Sequence, residues 1–302
     1  MAKLLLFNCK LFLITNPFYR NRRQPEQTRS IVYWIEVKGG AAITINQSSL
    51  TPLIFWNNNM LTLYQFERTW GNPNLSHFCC KTETYLRMAG IEYGIKTTLP
   101  LSAPKGKLPY IKDGDIELAD SRFIIQHLKT RYKDLDAELS STEAALSLGM
   151  QRLIEEHLFW ATMYSRWQYT DSNWQVNKKA IFGVLPPFVR DIAALVYRYK
   201  IKQQIHGHGM GRHKPEEVFE LGMKDIDALS ACLGDKEYFL GNQPTTLDAS
   251  AFGFLINTIG CPIESPLKEY GLAQNNLRNY VGRIKAEYYA DLQQTHRARL
   301  VM

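Results

Sequence analysis

The segment Gly106-Lys107-Leu108-Pro109-Tyr110-Ile111, followed by Leu118-Ala119-Asp120-Ser121, combines residue types that can hold an extended peptide. A proline leading an apolar strand needs a reason. A cis Leu108-Pro109 bond is one: it costs about 0.5–1 kcal/mol before proline and turns the Leu108 N–H and C=O outward toward an extended ligand. Ser121, with Asp120 before it, sits at the expected N-cap of the next helix, where its hydroxyl and the first free N–H groups can hold a carboxylate. Ser76, in Ser76-His77-Phe78-Cys79, opens another predicted helix. A hydroxyl there, with free N–H groups and the helix dipole, can stabilise a thiolate and lower its pKa from about 8.5. A plain cap is the other reading of the same serine.

The elements that must position these groups are legible as periodicities. Residues 61–66 alternate as a strand, 72–75 read as a loop, and a helix runs from Ser76 toward Ala89-Gly90. The Pro109 strand turns at Asp113-Gly114-Asp115 into a second strand over 116–119, and an apolar 3.6-residue period follows over 123–128. Strand, helix, strand, hairpin and helix is the thioredoxin-like order. Residues 60–132 are therefore expected to form an α/β domain of that kind. A polar linker spans 133–141, and 142–302 read as an all-helical domain. Its helices include a long amphipathic one over 144–167 with apolar positions such as Leu148 and Leu158, one starting at Pro186-Pro187 and passing Leu195 and Tyr199, and one from Pro215 to Leu233. A ligand is expected in the cleft between the two domains.

The 302 residues are 45% apolar and 22% charged, ordinary for a globular protein. The net charge of +7 invites a nucleic-acid reading, but residues 1–59 carry seven Lys or Arg against two Glu, so +5 of it lies there. The remaining body is close to neutral and has no basic stripe, which argues against nucleic acid. Apolar runs near the N-terminus are interrupted at Asn8 and Lys10, so no transmembrane span is expected. Residues 1–59 read as an extension, disordered or not native, with Met60 directly before the first good strand. Cys9, Cys79, Cys80, Cys232 and Cys261 follow no disulfide or zinc spacing. A reducing, cytoplasmic setting is the simpler reading.

Several other residues have chemistry to weigh. With serine at position 76, Cys79 cannot close an internal disulfide with it, so Cys79 reads as packing and Cys80 as the more exposed thiol. Tyr64 reads as a strand-core tyrosine with a satisfied hydroxyl, a thiol-stabilising role being its alternative. Thr245-x-x-Asp248 has the spacing of a carboxylate-closed capping box, a folding element. His206, His208 and His213 fall among three glycines with no cysteine nearby, so no metal site is expected.

The order of elements, the Lys-Leu-Pro strand and the Asp-Ser helix start resemble the N-terminal half of a glutathione transferase. Gly241-Asn242-Gln243-Pro244-Thr245-Thr246-Leu247-Asp248-Ala249 resembles that superfamily's signature in its second half. More narrowly, Asn74-Leu75-Ser76-His77-Phe78-Cys79, Gly207-His208-Gly209-Met210-Gly211-Arg212-His213 and Asn276-Leu277-Arg278-Asn279-Tyr280 resemble the failed-axon-connections and metaxin-like branch. The resemblance covers about residues 60–290. It implies glutathione as co-substrate, Ser76 as the group that activates its sulfur, and Leu108 beside Pro109 pairing with the cysteinyl unit. Asp120 and Ser121 would then receive the γ-glutamyl ammonium and carboxylate, and Lys107 would meet the glycyl carboxylate. It places Tyr164 and Trp167, within an aromatic cluster from Phe159 to Trp174, at an electrophile pocket, and it admits a homodimer. The leading expectation is a transferase that ionises glutathione for attack on a small electrophile. The rival is a non-catalytic binding module of the metaxin-like kind, using the same fold for protein or membrane partners.

Overall fold

Leu61, Leu63 and Gln65 point to one side of a short strand and are buried, while Thr62, Tyr64 and Phe66 on the other side are half-buried. This strand, β3 (Thr62–Gln65), is central to the main sheet in the computed structural model, which describes residues 60–100 and 103–292. Within the first 59 residues it describes only two antiparallel strands, β1 (Tyr33–Val37) and β2 (Ala41–Ile45), paired Tyr33 to Ile45. That pair belongs to a separate unit, and the rest of the extension expected there lies outside the described residues.

The main sheet has the order β4-β3-β5-β6, with β4 at Gly94–Thr97, β5 at Tyr110–Asp113 and β6 at Ile116–Ala119. β4 runs parallel to β3, whereas β5 and β6 are antiparallel neighbours. The parallel pair requires a crossover, supplied by α1 (His77–Met88). The turn between β5 and β6 uses Gly114 at φ 61°, a left-handed conformation that glycine adopts without penalty. Helix α2 (Ser121–Arg131) follows β6 and packs its buried Ile124, Ile125 and Leu128 toward the sheet and α1.

The chain then turns helical. Ser140 caps α3 (Ser141–Arg152) in a reciprocal box with Glu143. The helix continues without a break through a π turn at Leu153–Leu158, α4 (Phe159–Tyr164) and a second π turn at Ser165–Tyr169. Each wide turn rotates the side chains that follow, so the simple 3.6-residue period expected over 144–167 does not hold along its length. Leu148, expected on the apolar face, is exposed, and Ser147 is the one fully buried residue of α3. After α5 (Asp171–Phe182) come α6 (Pro187–His208), a single 3₁₀ turn, and α7 (Pro215–Leu233). Both α6 and α7 begin on proline at the first turn, where its missing N–H costs nothing.

Every residue of α8 (Thr246–Thr258) is buried, and its apolar stretch over 251–256 has no polar side to give to solvent. It lies against α1 so closely that a Cβ on Gly253 would sit 2.6 Å from the Lys81 backbone nitrogen and 3.0 Å from the His77 carbonyl oxygen. Glycine is needed there for the approach itself. The start of α8 is fixed by Asp248, whose Oδ2 accepts from the Thr245 N–H at 2.9 Å and from the Thr245 hydroxyl at 2.8 Å. The Thr245 hydroxyl thus turns to the carboxylate, and the Asp248 N–H instead donates to the Thr245 carbonyl at 3.1 Å. Asp248 also accepts from Phe239 N and Tyr280 Oη, which compensates its burial. Helices α9 (Pro266–Ala273) and α10 (Asn275–Tyr288) complete the described chain. Among the described residues, no single helix is long and apolar enough to cross a membrane.

Candidate functional site

Cys79, Leu108, Tyr110 and Ala119 form a small buried cluster of their own. The first turn of α1, the residue before the strand proline and the end of β6 therefore meet at one edge of the sheet. The Leu108-Pro109 bond is cis, as expected from the strand position of the proline. Lys107 is exposed beside it, and Pro109 is buried.

Ser76 is the N-cap of α1: its Oγ accepts from Cys79 N at a long 3.4 Å, and it remains partly exposed. The hydroxyl proton is not used in that bond, and the first turn of α1 contains no acid, so an anion placed there meets a favourable field. The segment before Ser76 is held from several directions. Asn74 accepts from Ser76 N at 3.0 Å and donates to the Phe66 carbonyl at 2.7 Å. The buried Arg166 donates to the Leu75 carbonyl at 2.7 Å and to the Asn257 carbonyl and Oδ1 at 2.7 and 2.8 Å. Asn257, near the end of α8, donates in turn to the Asn74 carbonyl at 3.1 Å. Asn74, Arg166 and Asn257 were invisible as a group in the sequence. The one signal among them is Asn257, a strongly polar residue at the end of an apolar run in α8.

At the second helix start the structure corrects the expected cap. Asp120, at φ 82°, is the N-cap of α2 and accepts from Arg122 N at 3.1 Å, so Ser121 is the first helical residue. A non-glycine residue at that φ is strained, and such strain gathers at ligand clamps. Ser121 is 4% exposed, and its hydroxyl has no hydrogen-bond partner among the described residues. An acceptor-bearing ligand reaching this edge therefore finds an unengaged hydroxyl next to a capping carboxylate with one oxygen to spare.

Both cysteines of α1 are inert by burial. The Cys79 thiol is pushed up to about 12 by desolvation, against a weaker opposing effect of the Ser76 hydroxyl. Cys80, expected as the more exposed thiol, is fully buried: its Sγ donates to the Asn74 carbonyl at 3.0 Å and accepts from Asn257 at 3.3 Å. Tyr64 is half-buried rather than a core residue. It stacks on Tyr110 with ring centroids 4.2 Å apart, and its hydroxyl has no partner among the described residues.

Tyr164 and Trp167, expected at an electrophile pocket, lie in the packed helical core, 5% and 3% exposed. Tyr164 meets Phe219 edge-on, and Trp167 packs between Trp174 and Tyr197. The aromatic wall nearer Ser76 is one turn earlier. Phe78, two residues after Ser76, contacts Phe159 at 5.2 Å, Phe159 contacts Trp160 at 5.2 Å, and Trp160 stacks on His208 at 4.7 Å. His77 is buried among these rings, with its Nε2 unpartnered, and burial together with the Arg166 charge holds its pKa well below the usual value. The three histidines of the 206–213 segment do not converge. His208 bonds the Glu156 carbonyl, and His213 lies near Glu217.

A cavity of 330 Å³ opens between α2 and α3, lined by Lys81, Arg122, Lys129, Arg152 and Gln151 among others. Ser76, Leu108 and Ser121 are not part of it.

Comparison with known proteins agrees with the fold. The sequence pattern described as glutathione S-transferase N-terminal domain matches residues 77–173, and that described as glutathione S-transferase C-terminal domain matches residues 222–284. The chain is 37% identical over 238 residues to isoprene-epoxide–glutathione S-transferase of a Rhodococcus species, covering 76% of this chain and 99% of that protein. It is 33% identical to Failed axon connections of Drosophila melanogaster, over 78% of this chain and 60% of that protein. It is 24% identical to human metaxin-2 over 69% and 81%. Among solved structures, a glutathione transferase from Populus trichocarpa superposes with a TM-score of 0.51 at 14% identity, covering 78% of this chain and 98% of its own. A human glutathione S-transferase in apo form superposes with a TM-score of 0.51 at 18% identity, covering 78% and 87%. With a relative this similar matched over nearly its whole length, the chain belongs to the glutathione S-transferase family.

Proposed function

We propose that this protein binds glutathione along the sheet edge and ionises its thiol at Ser76 for attack on a small electrophile. The observation that carries the reading is the meeting of three features around one cluster: the N-terminus of α1, the cis Leu108-Pro109 bond and the Asp120-Ser121 helix start. The Leu108 backbone pairs with the cysteinyl unit in this reading, which points the sulfur at the Ser76 hydroxyl and the acid-free first turn of α1. The γ-glutamyl carboxylate takes the Ser121 hydroxyl and the free N–H groups of α2. The ammonium takes the remaining Asp120 oxygen, and Lys107 meets the glycyl carboxylate. Phe78, Phe159 and Trp160 form the apolar wall for the electrophile. The 37% identical relative acts on an isoprene epoxide, which makes a strained epoxide the first electrophile to try. Thiolate addition to an epoxide carbon forms the C–S bond and breaks one C–O bond, and the alkoxide then takes a proton. A cytoplasmic location and a homodimer belong to the same reading.

Titration with glutathione, read as a rise in melting temperature, tests it. Ligand at 100 times its Kd stabilises by about 2.7 kcal/mol. Ser121→Ala is expected to weaken binding by roughly 1.5–3 kcal/mol, the value of a hydrogen bond to a charged group. No stabilisation at millimolar glutathione would instead favour the non-catalytic module, a reading supported by the similarity to Failed axon connections and metaxin-2.

A further inference from the structure

Helix α6 gives one side to the core and leaves the opposite side bare. Its buried positions are Ala194, Ile201 and Ile205. At 3.6 residues per turn, Phe188, Val189, Ile192, Leu195, Val196 and Tyr199 all fall on the half of the helix turned away from them. Phe188 is 78% exposed, Leu195 62% and Tyr199 65%. For three turns this outward side contains no polar residue, and such a continuous apolar ridge on a surface marks an interaction site.

Cations follow the ridge at its C-terminal end. Lys200 and Lys202 come just past Tyr199, on either side of the ridge line, and Lys179 is an exposed lysine of the preceding helix α5. None of the three forms an ion pair among the described residues, whereas the nearby acids are already engaged. Asp191 holds Lys178 at 3.1 Å and Arg190 at 2.9 Å, and Asp171 holds Arg198 at 3.3 Å. The partner that fits is therefore apolar against the ridge and anionic beside its C-terminal end. A second copy of the same face meets the first condition and fails the second, because Asp191, the one acid of α6, is already engaged and leaves nothing to meet the lysines.

We propose that the outward face of α6 docks on an anionic lipid surface, its apolar ridge at the boundary of headgroups and acyl chains and its lysines on the headgroups. This is a mode of lying on the membrane. The opposite side of α6 is committed to the core, and α5 meets α6 at 118°, so the pair does not form a straight span. The inference is independent of the peptide site.

Flotation of the full chain with vesicles tests it. The protein is expected to float with vesicles of phosphatidylcholine and phosphatidylserine in equal parts, to float far less with phosphatidylcholine alone, and to be released by high salt. Leu195→Asp and the double variant Lys200→Glu/Lys202→Glu are each expected to lower partitioning roughly tenfold or more. All three positions are exposed, so melting temperature and glutathione response should match the parent chain. Failure of the parent chain to float overturns the proposal, as does flotation unchanged by Leu195→Asp or equal on neutral vesicles. A dimer in light scattering that Leu195→Asp dissolves, without flotation, assigns the face to a second copy instead.

Discussion

Lys81 Nζ lies 2.5 Å from Glu155 Oε1, with side-chain exposures of 2% and 0%. The pair joins α1 to the long helix across 74 residues of sequence. Ser250 of α8 donates to the same carboxylate at 3.0 Å, and Arg122 of α2 approaches its other oxygen at 3.4 Å. Burial pulls the Lys81 pKa down and the Glu155 charge opposes it.

Removing one partner should therefore be severe. Glu155→Gln leaves an ammonium in the interior without its counter-charge and is expected to cost about 3–5 kcal/mol in urea unfolding. The double variant Lys81→Met/Glu155→Leu should cost clearly less than the sum of the two single changes. Additive costs would show that the pair is not coupled.

Ser76→Ala separates binding from thiol activation. Glutathione affinity should stay within about twofold, while the pKa of the bound thiol rises toward about 8.5 and turnover falls roughly tenfold or more. The lost cap should also cost about 1 kcal/mol of stability. Full activity in this variant would pass the role to Tyr64, whose half-buried hydroxyl is on the same edge.

His77 sets a pH dependence. The unfolded chain takes a proton on this imidazole near pH 6.5, but the folded chain does so only well below that, because of burial and the Arg166 charge. On acidification the unfolded state gains its proton first, so stability is lost as pH falls below about 6.5, by up to about 1.4 kcal/mol per unit. His77→Phe should remove this slope. Urea unfolding of both chains between pH 7.5 and 5.5, about one unit either side of the unperturbed value, measures it. Parallel profiles would show that His77 does not contribute.

Gly253→Ala puts a methyl 2.6 Å from the Lys81 backbone nitrogen. Pushing α8 off α1 is expected to cost about 1–3 kcal/mol despite the better helix propensity of alanine. The melting temperature should drop by several degrees, and turnover should fall with it because Ser76 begins the helix that is displaced. An unchanged melting temperature would mean that the two helices separate at no cost.

What the sequence disclosed was local. The proline at 109, the Asp113-Gly114-Asp115 turn and the Thr245-x-x-Asp248 spacing each act within a few residues, and each signal has one structural solution. The helix start at Asp120 was off by one residue, because either Asp120 or Ser121 can cap and only the backbone angle decides between them. What stayed hidden was long-range or directional. The Lys81–Glu155 pair is 74 residues apart in sequence, and nothing in the sequence of α1 says that lysine rather than leucine should face the long helix. The aromatic cluster from Phe159 to Trp174 is plain in the sequence, but not that Tyr164 and Trp167 are buried in the core. Periodicity likewise marked Leu195 and Tyr199 as apolar positions of a helix without revealing that they face outward.

Arg166 has a consequence for how this chain tolerates recombination. Its guanidinium joins the carbonyl just before Ser76 to the last turn of α8, so the shape of the loop that presents the serine is written partly in residues 166 and 257. A chimera that takes its first half from this protein and its helices from a relative lacking that arginine would inherit Ser76 without the brace that aims it. The halves are therefore not interchangeable parts, and variation in reactivity between relatives can originate about ninety residues from the serine that does the chemistry.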